Sequence, residues 1–317
     1  MVVYTEKIRE TAEKLLKDEK VDVFIGYRRG TVPMMNEPVL ISDPKKAGDL
    51  YWDSFCSLNL CNYLTKREEK KIGILATGCN SRNIVTHIIE NQIKREQLYI
   101  VGIPCEGMLD HRAVSRAVGG REILEVTEDG ERLTVKGNDF EEVFEKKDFL
   151  QGNCKVCTHR NPVEYDEMIG EPVNEQEVAE AYGDVEEIEG MASDEKWDFF
   201  TQMISDCIRC YACRNACPLC YCPTCFVDES RPQWVGKSTD PTDTMTFHIL
   251  RAYHCAGRCT DCGACERVCP VGIPVRRFTR KLNKDVLDFF GWEAGLSLDK
   301  RPPLDVYRPD DYNDFVR

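Results

Sequence analysis

Apolar residues recur along the first half of the chain in two rhythms, one helical and one extended. Residues 5–19 place Ile8, Ala12, Leu15 and Leu16 on one helical face, and the run VDVFIGY, residues 21–27, follows as a buried strand. KIGILATG, residues 71–78, predicts a second strand, after which Ser81 can cap a helix carrying Ile84, Val85, Ile88, Ile89 and Ile93 on one face. LYIVGIP, residues 98–104, predicts a third strand. Residues 122–126 and 132–136 flank Asp129-Gly130 and read as a hairpin. Together these elements predict an α/β N-terminal domain over residues 1–170.

The pattern then changes. Between Arg160 and Lys196 there is no basic residue, while acidic residues from Glu164 to Glu189 are frequent, so residues 171–196 read as a solvated acidic linker or, alternatively, an acidic docking strip. After Trp197 cysteines crowd the chain, which marks a second domain over residues 197–285. Its TDTMTFHILRAYH stretch, residues 242–254, has helical spacing. Residues 286–317, rich in Pro, Asp and aromatics, are expected to form an extended tail.

Composition narrows the function. With 317 residues, 42% of them hydrophobic, the chain can bury two cores. Its net charge of -13 argues against a nucleic-acid partner, which needs concentrated basic surface. No stretch approaches the ~18 apolar residues of a membrane span, and MVVYTEKIRE lacks the apolar core of a signal peptide, so a cytoplasmic location is expected. Eighteen cysteines in a reducing compartment point to metal rather than to disulfides.

Cys207, Cys210, Cys213 and Cys217 stand in CIRCYACRNACP, and Cys259, Cys262, Cys265 and Cys269 stand in CTDCGACERVCP. Both are CxxCxxCxxxCP. In such runs three thiolates reach one 4Fe-4S cluster, while the fourth, before the proline, ligates the other cluster. The expected sets are therefore Cys207, Cys210, Cys213 and Cys269 for one cluster, and Cys259, Cys262, Cys265 and Cys217 for the second. Zinc, the competing metal, favours paired CxxC units over a doubled run ending in proline. With the helix-like spacer between the runs, residues 197–283 resemble the α-helical ferredoxin domain of succinate dehydrogenase and heterodisulfide reductase subunits. The resemblance implies a mostly α-helical ferredoxin-type C-terminal domain.

Four further cysteines sit in the α/β domain. Cys79 and Cys105 each follow a predicted strand, where open α/β sheets place their sites, and Cys154 and Cys157 lie in QGNCKVCTHR; by spacing alone they are either ligands or small buried hydrophobes. The order KIGILATGCNSRNI, YIVGIPCEG, RLTV and GNCKVCTHRNPVEYDEMIGE resembles the beta subunit family of deazaflavin-coenzyme-reducing hydrogenase and formate dehydrogenase. That resemblance implies a third 4Fe-4S cluster on Cys79, Cys105, Cys154 and Cys157. The family also binds FAD and a deazaflavin through glycine-rich segments near the N-terminus and just after the CxxC motif. Neither segment is evident here, and Gly26 to Gly30 (GYRRG) makes a weak phosphate loop, so FAD is not favoured.

Cys220, Cys222 and Cys225, in PLCYCPTCF, and Cys255 either hold a further 4Fe-4S cluster or serve as a reserve of buried thiols. Cys56 and Cys61 read as packing residues on a helix, and His87 as a structural histidine. Arg258, Arg267, Arg276, Arg277, Arg280 and Lys281 either ease electron addition to anionic clusters and contact a partner or form an ordinary solvated face. No nucleophile-and-base constellation is readable. The expected function is an iron–sulfur electron-transfer subunit of a larger oxidoreductase complex. Its partners, by resemblance, are the catalytic subunit of a formate dehydrogenase or hydrogenase, or a heterodisulfide-reductase-like flavoprotein. The alternative is an FAD-containing oxidoreductase exchanging hydride with a deazaflavin or nicotinamide coenzyme.

Overall fold

The computed structural model describes residues 2–65 and 70–303. The tail expected over residues 286–317 therefore lies outside the described residues from 304 onward. The chain separates into two compact units: Met1–Ser81, Gln92–Ala181 and Cys262–Ala264 form the first, and Arg82–Asn91, Tyr182–Asp261 and Cys265–Arg317 the second.

In the first unit, helix α1 (Val2–Lys17) leads into strand β1 (Val23–Arg28). Strands β2 (Glu37–Ile41), β3 (Ile72–Ala76) and β4 (Leu98–Gly102) follow; helix α2 (Gly78–Ile89) lies between the last two in sequence, and its residues from Arg82 on count with the second unit. Then come α3 (His111–Ala117), β5 (Glu125–Asp129), β6 (Arg132–Lys136), β7 (Glu141–Glu145), the single turn α4 (Gly152–Lys155) and β8 (Glu167–Met168). The main sheet has the order β2-β1-β3-β4-β8; β1, β3, β4 and β8 run parallel, and β2 pairs antiparallel with β1 at the edge.

β1, β3 and β4 are apolar runs rather than alternating ones because parallel strands are covered on both faces. Accordingly Phe24, Ile25, Ile72, Ile74 and Ile100 are fully buried, and so are Ile8 and Ala12 on the predicted face of α1. β5, β6 and β7 form a separate antiparallel sheet, whose Leu133 and Val135 pack with Phe55, Leu109, Val114 and Val118. The predicted hairpin is thus present, with a third strand added.

Two local expectations are corrected. α2 starts at Gly78, not after Ser81: the Ser81 amide already donates to the Thr77 carbonyl at 2.8 Å, so the chain turns into a helix directly from β3. Ser81 instead lies inside the first turn, where its hydroxyl donates to the Gly78 carbonyl and accepts from the Val163 amide. Gly78 is required there, since a Cβ would meet the His159 carbonyl oxygen at 2.0 Å. Cys56 and Cys61 share no helix; Cys56 sits in a turn and Cys61 in the 3-10 turn Leu60–Tyr63, capped by the Asn59 side chain. Both are buried, and the Cys61 thiol donates to the Asn80 carbonyl.

The second unit is helical: α5 (Gly183–Glu189), α6 (Ser193–Ile204), α7 (Ala212–Asn215), α8 (Pro241–Tyr253), α9 (Ala264–Arg267, whose first residue belongs to the first unit) and α10 (Arg276–Phe290). Asp240 caps α8 by accepting from the Thr242 amide at 2.9 Å, and Pro241 supplies a preformed first turn. α8 buries Thr244, Phe247, His248, Arg251 and Ala252 at spacings of three and four residues. The acidic segment contributes structure: Asp184 pairs with Arg280 at 2.9 Å, and Glu189 with Lys281 at 2.8 Å and Lys284 at 3.3 Å. The fold is therefore an α/β N-terminal part and a helical C-terminal part, as the sequence predicts.

Candidate metal centres

In the first unit, β3 and β4 pair in parallel with Ala76 opposite Gly102. Cys79 and Cys105 lie three residues beyond that pair on their respective strands, so the sheet register brings them to the same carboxyl edge. Cys154 comes from α4, and the Cys157 amide turns back onto the Cys154 carbonyl at 3.4 Å. Cys105 has all three other thiols as electrostatic neighbours: burial pushes its thiol well up, and Cys154, Cys79 and Cys157 push in the same direction.

Donors surround these sulfurs. The Met108 amide points at Cys154 Sγ at 3.3 Å, and the Thr77 hydroxyl stands 3.4 Å from Cys79 Sγ. The Met108 amide favours the charged thiolate of Cys154 over its thiol, and the Thr77 hydroxyl can donate to Cys79 in the same way once that sulfur is deprotonated. The structure thus gathers the four cysteines that the family resemblance names. The glycines of GYRRG have another use: a Cβ on Gly26 would strike Leu50 at 2.7 Å, and one on Gly30 the Met35 carbonyl oxygen at 1.7 Å. Close packing accounts for both.

In the second unit the loop after α6 carries Cys207, Cys210 and Cys213. Arg209 and Tyr211 adopt left-handed backbone with φ of 54° and 58°, which coils the loop so that its thiols face one space. Cys269 is buried with Cys207, Cys213 and Cys265 packed against it, and its Sγ accepts from the Ile273 amide at 3.2 Å. A partly open cavity is lined by Cys207, Cys210, Cys213 and Cys269. Four thiols from two separate runs around one cavity are the donor set that a 4Fe-4S cluster takes.

Two residues on α8 complete this site, and neither was singled out from the sequence. His248 is buried, and its Nε2 stands 3.3 Å from Cys207 Sγ. Burial first, and then the Arg251 and Arg209 cations, lower its pKa to about 4, so the ring is neutral and can donate one N–H. Arg251 is 4% exposed and donates from Nη2 to the Cys213 carbonyl at 3.2 Å. Their signal was available: polar side chains at the buried positions of a helical period have to be satisfied by something inside.

The remaining thiols divide. Cys217, Cys220 and Cys255 have sulfurs all within 4.8 Å of one another. Cys222 is exposed, and Cys225 lies beside Arg214; neither is in that group. Of Cys259, Cys262 and Cys265, the second counts with the first unit, where its carbonyl accepts from Asn153 at 3.3 Å. Cys265 packs against Cys269, and the Cys259 amide donates to the Cys255 carbonyl at 2.9 Å. His87 is fully buried and structural, with Nε2 2.8 Å from the Pro218 carbonyl oxygen.

The basic residues are mostly neutralised locally. Arg258 pairs with Glu90, Arg276 with Asp261 and Glu266 at 2.8 and 3.2 Å, and Arg280 with Asp184 and Asp261. Arg277 lies over the Phe199 ring at 5.4 Å. These groups act first as internal braces of the second unit.

Residues 203–273 match the 4Fe-4S dicluster domain family. Over 357 aligned residues the chain is 24% identical to the F420-dependent formate dehydrogenase subunit beta of Methanocaldococcus jannaschii, spanning 92% of each. It is 24% identical over 296 residues to the F420-dependent formate dehydrogenase 1 subunit beta of Methanococcus maripaludis, spanning 74% of this chain and 76% of that one. Among solved structures, a chain of the F420-reducing nickel–iron hydrogenase complex of Methanosarcina barkeri is 12% identical with a TM-score of 0.38, covering 49% of this chain and 59% of that chain. No helix among the described residues is long and apolar enough to cross a membrane.

Proposed function

We propose that this chain, which is similar to the beta subunits of F420-dependent formate dehydrogenases and matches a 4Fe-4S dicluster domain over residues 203–273, relays single electrons through clusters in both of its units. The observation that carries this reading is the cavity shared by Cys207, Cys210, Cys213 and Cys269, which joins the first three thiols of one run to the last thiol of the other. The centre in the first unit is proposed on Cys79, Cys105, Cys154 and Cys157. A second centre of the dicluster domain is proposed on Cys259, Cys262 and Cys265, with Cys217 as the fourth position that the crossover pattern offers. The partners proposed are a formate dehydrogenase or hydrogenase catalytic subunit, or a heterodisulfide-reductase-like flavoprotein.

A bound 4Fe-4S cluster supplies one-electron chemistry. The protein's own groups do the rest. The Ile273 amide at Cys269 and the Met108 amide at Cys154 stabilise negative charge on those sulfurs, and a neutral His248 with its proton on Nε2 does the same at Cys207. Each therefore favours the reduced state. The buried Phe247 and Val275 make part of the cavity wall apolar.

The test is an anaerobic count of iron, acid-labile sulfide and flavin per chain. About 12 irons are expected, since each of three cubanes holds four. About 8 would remove the centre on Cys79, Cys105, Cys154 and Cys157. Stoichiometric flavin would replace the relay with the alternative reading, hydride exchange at an FAD.

A further inference from the structure

We infer that Arg251 is a positioning residue shared by both centres of the dicluster domain: its guanidinium, buried between their two ligand sets, is their common counter-charge and raises the reduction potential of each. The inference rests on the relay reading and its two ligand sets, and deepens it by naming one side chain that tunes both centres. Three observations carry this.

The first is the face of α8 on which Arg251 lies. His248, Arg251 and, just past the helix end, Cys255 follow at spacings of three and four residues, so they line one side of the helix. At one end His248 Nε2 stands 3.3 Å from Cys207 Sγ, in the first ligand set. At the other, the Cys255 sulfur lies within 4.8 Å of that of Cys217, in the second. Arg251 stands between them, with about 5 Å of helix on either side. Its Nη2 donates to the Cys213 carbonyl at 3.2 Å, which holds the guanidinium against the first run.

The second observation is what surrounds the guanidinium. Burial disfavours its charge, and the groups that favour it are Cys265, Cys217, Cys255 and Cys213. Cys213 belongs to the first ligand set, and Cys265 and Cys217 to the second. Arg251 therefore faces thiols of both.

The third observation is that nothing else neutralises it. Arg251 is 4% exposed, its Nε has no hydrogen-bond partner, and among the described residues no carboxylate pairs with it. The other buried guanidiniums of the second unit have partners of their own. Arg82 pairs with Glu293, Arg276 with Asp261 and Glu266, and Arg280 with Asp184 and Asp261, while Arg209 lies over the Tyr211 and Phe247 rings at 5.5 and 5.4 Å. A cation buried this deeply needs a counter-charge, and neutral thiols supply none. Thiolates committed to two anionic clusters do supply it. Each cluster becomes more negative when it takes an electron, so a fixed cation beside its ligands favours the reduced state.

To test this, the full chain is purified anaerobically as wild type, R251Q and R251K, counted for iron and sulfide, and titrated with electron paramagnetic resonance as the monitor. R251Q is expected to keep the wild-type iron while the reduction equilibrium of both dicluster centres falls about tenfold, a drop of about 59 mV at each. R251K, which restores the charge, is expected to recover most of that drop at both. A drop at one centre alone, no drop at either, or a drop in R251K as large as in R251Q would overturn the inference.

Should R251Q not hold its iron, R251M, which leaves no polar group unpaired, takes its place with the same expected drop. If neither neutral variant holds iron, its retention in R251K supports the counter-charge, and its loss from all three refutes it. The relay reading is judged separately, on iron, sulfide and flavin in the wild type, and stoichiometric flavin there leaves the expected shifts as they stand.

Discussion

The two CxxCxxCxxxCP runs are near copies in backbone and opposites in surroundings. In each, the third and fifth residues are left-handed: Arg209 and Tyr211 in the first, with φ of 54° and 58°, and Asp261 and Gly263 in the second, with φ of 55° and 71°. In each, a one-turn helix begins right after them, at Ala212 and at Ala264. The amide of the last cysteine closes on the residue three before it at 3.2 Å in both, Cys217 on Arg214 and Cys269 on Glu266. Beyond that point they part. Cys269 sits in an apolar pocket with Ile273 and Val275 and joins the thiols of the other run, whereas Cys217 lies against Cys220 and Cys255. An identical local motif thus fixes where three thiols point, while the fourth follows whatever the next residues and a distant helix put beside it.

The largest break in this comparison comes from the fourth cysteines themselves. C269S is expected to remove a whole cluster, about four irons per chain. C217S is expected to cost the other cluster of the pair, again about four irons per chain. Metal analysis of the two purified variants side by side checks this, and iron left unchanged in C217S alone would break the symmetric crossover.

A smaller effect is expected from His248, which attends the first run only. H248F removes the hydrogen bond to Cys207 and leaves the ring volume. At about 1–1.5 kcal/mol for such a bond, the potential of that cluster should fall by about 50 mV, read by redox titration monitored by electron paramagnetic resonance. An unchanged potential would mean the His248 proton is on Nδ1 and the ring only packs.

The smallest effect tests the shared backbone. Gly263 occupies the left-handed position that Tyr211 fills in the first run. Tyr211 is held there by its ring against Phe247 at 5.2 Å and by Arg209 Nη2 donating to its hydroxyl at 2.8 Å. Alanine at 263 would bring no such contacts, so G263A should cost about 1 kcal/mol and lower the temperature of cluster bleaching by about 2–4 °C.

Legibility followed the range of the interactions involved. β1, β3 and β4 were readable because a strand buried on both faces must be a short apolar run, and VFIGYR, IGILA and LYIVG are such runs. β2 and β8 were not read, since EPVLI is an edge strand containing Pro38 and β8 has two residues that are a strand only because Glu167 and Met168 meet Val101 and Gly102. α10 was read as a basic stretch because Arg276, Arg280 and Lys281 dominate it; their partners Asp184, Asp261 and Glu189 lie far off in sequence. Cys56 and Cys61 looked helical by spacing, but the Asn59 side chain caps a 3-10 turn between them.

By itself the sequence determined that two thiol-bearing loops form and how each is coiled, because the ligands within a run are separated by fewer residues than one turn of chain can misplace. It also determined that an α/β part precedes them, through apolar periodicity alone. The doubled run also carries the expectation that Cys269 joins Cys207, Cys210 and Cys213, and only the tertiary structure decided that Cys255 is carried by α8 to Cys217 and Cys220. The reason is that a sulfur's neighbours are set by packed helices and sheet register, which many distant side chains choose together, and no spacing within one segment records that choice.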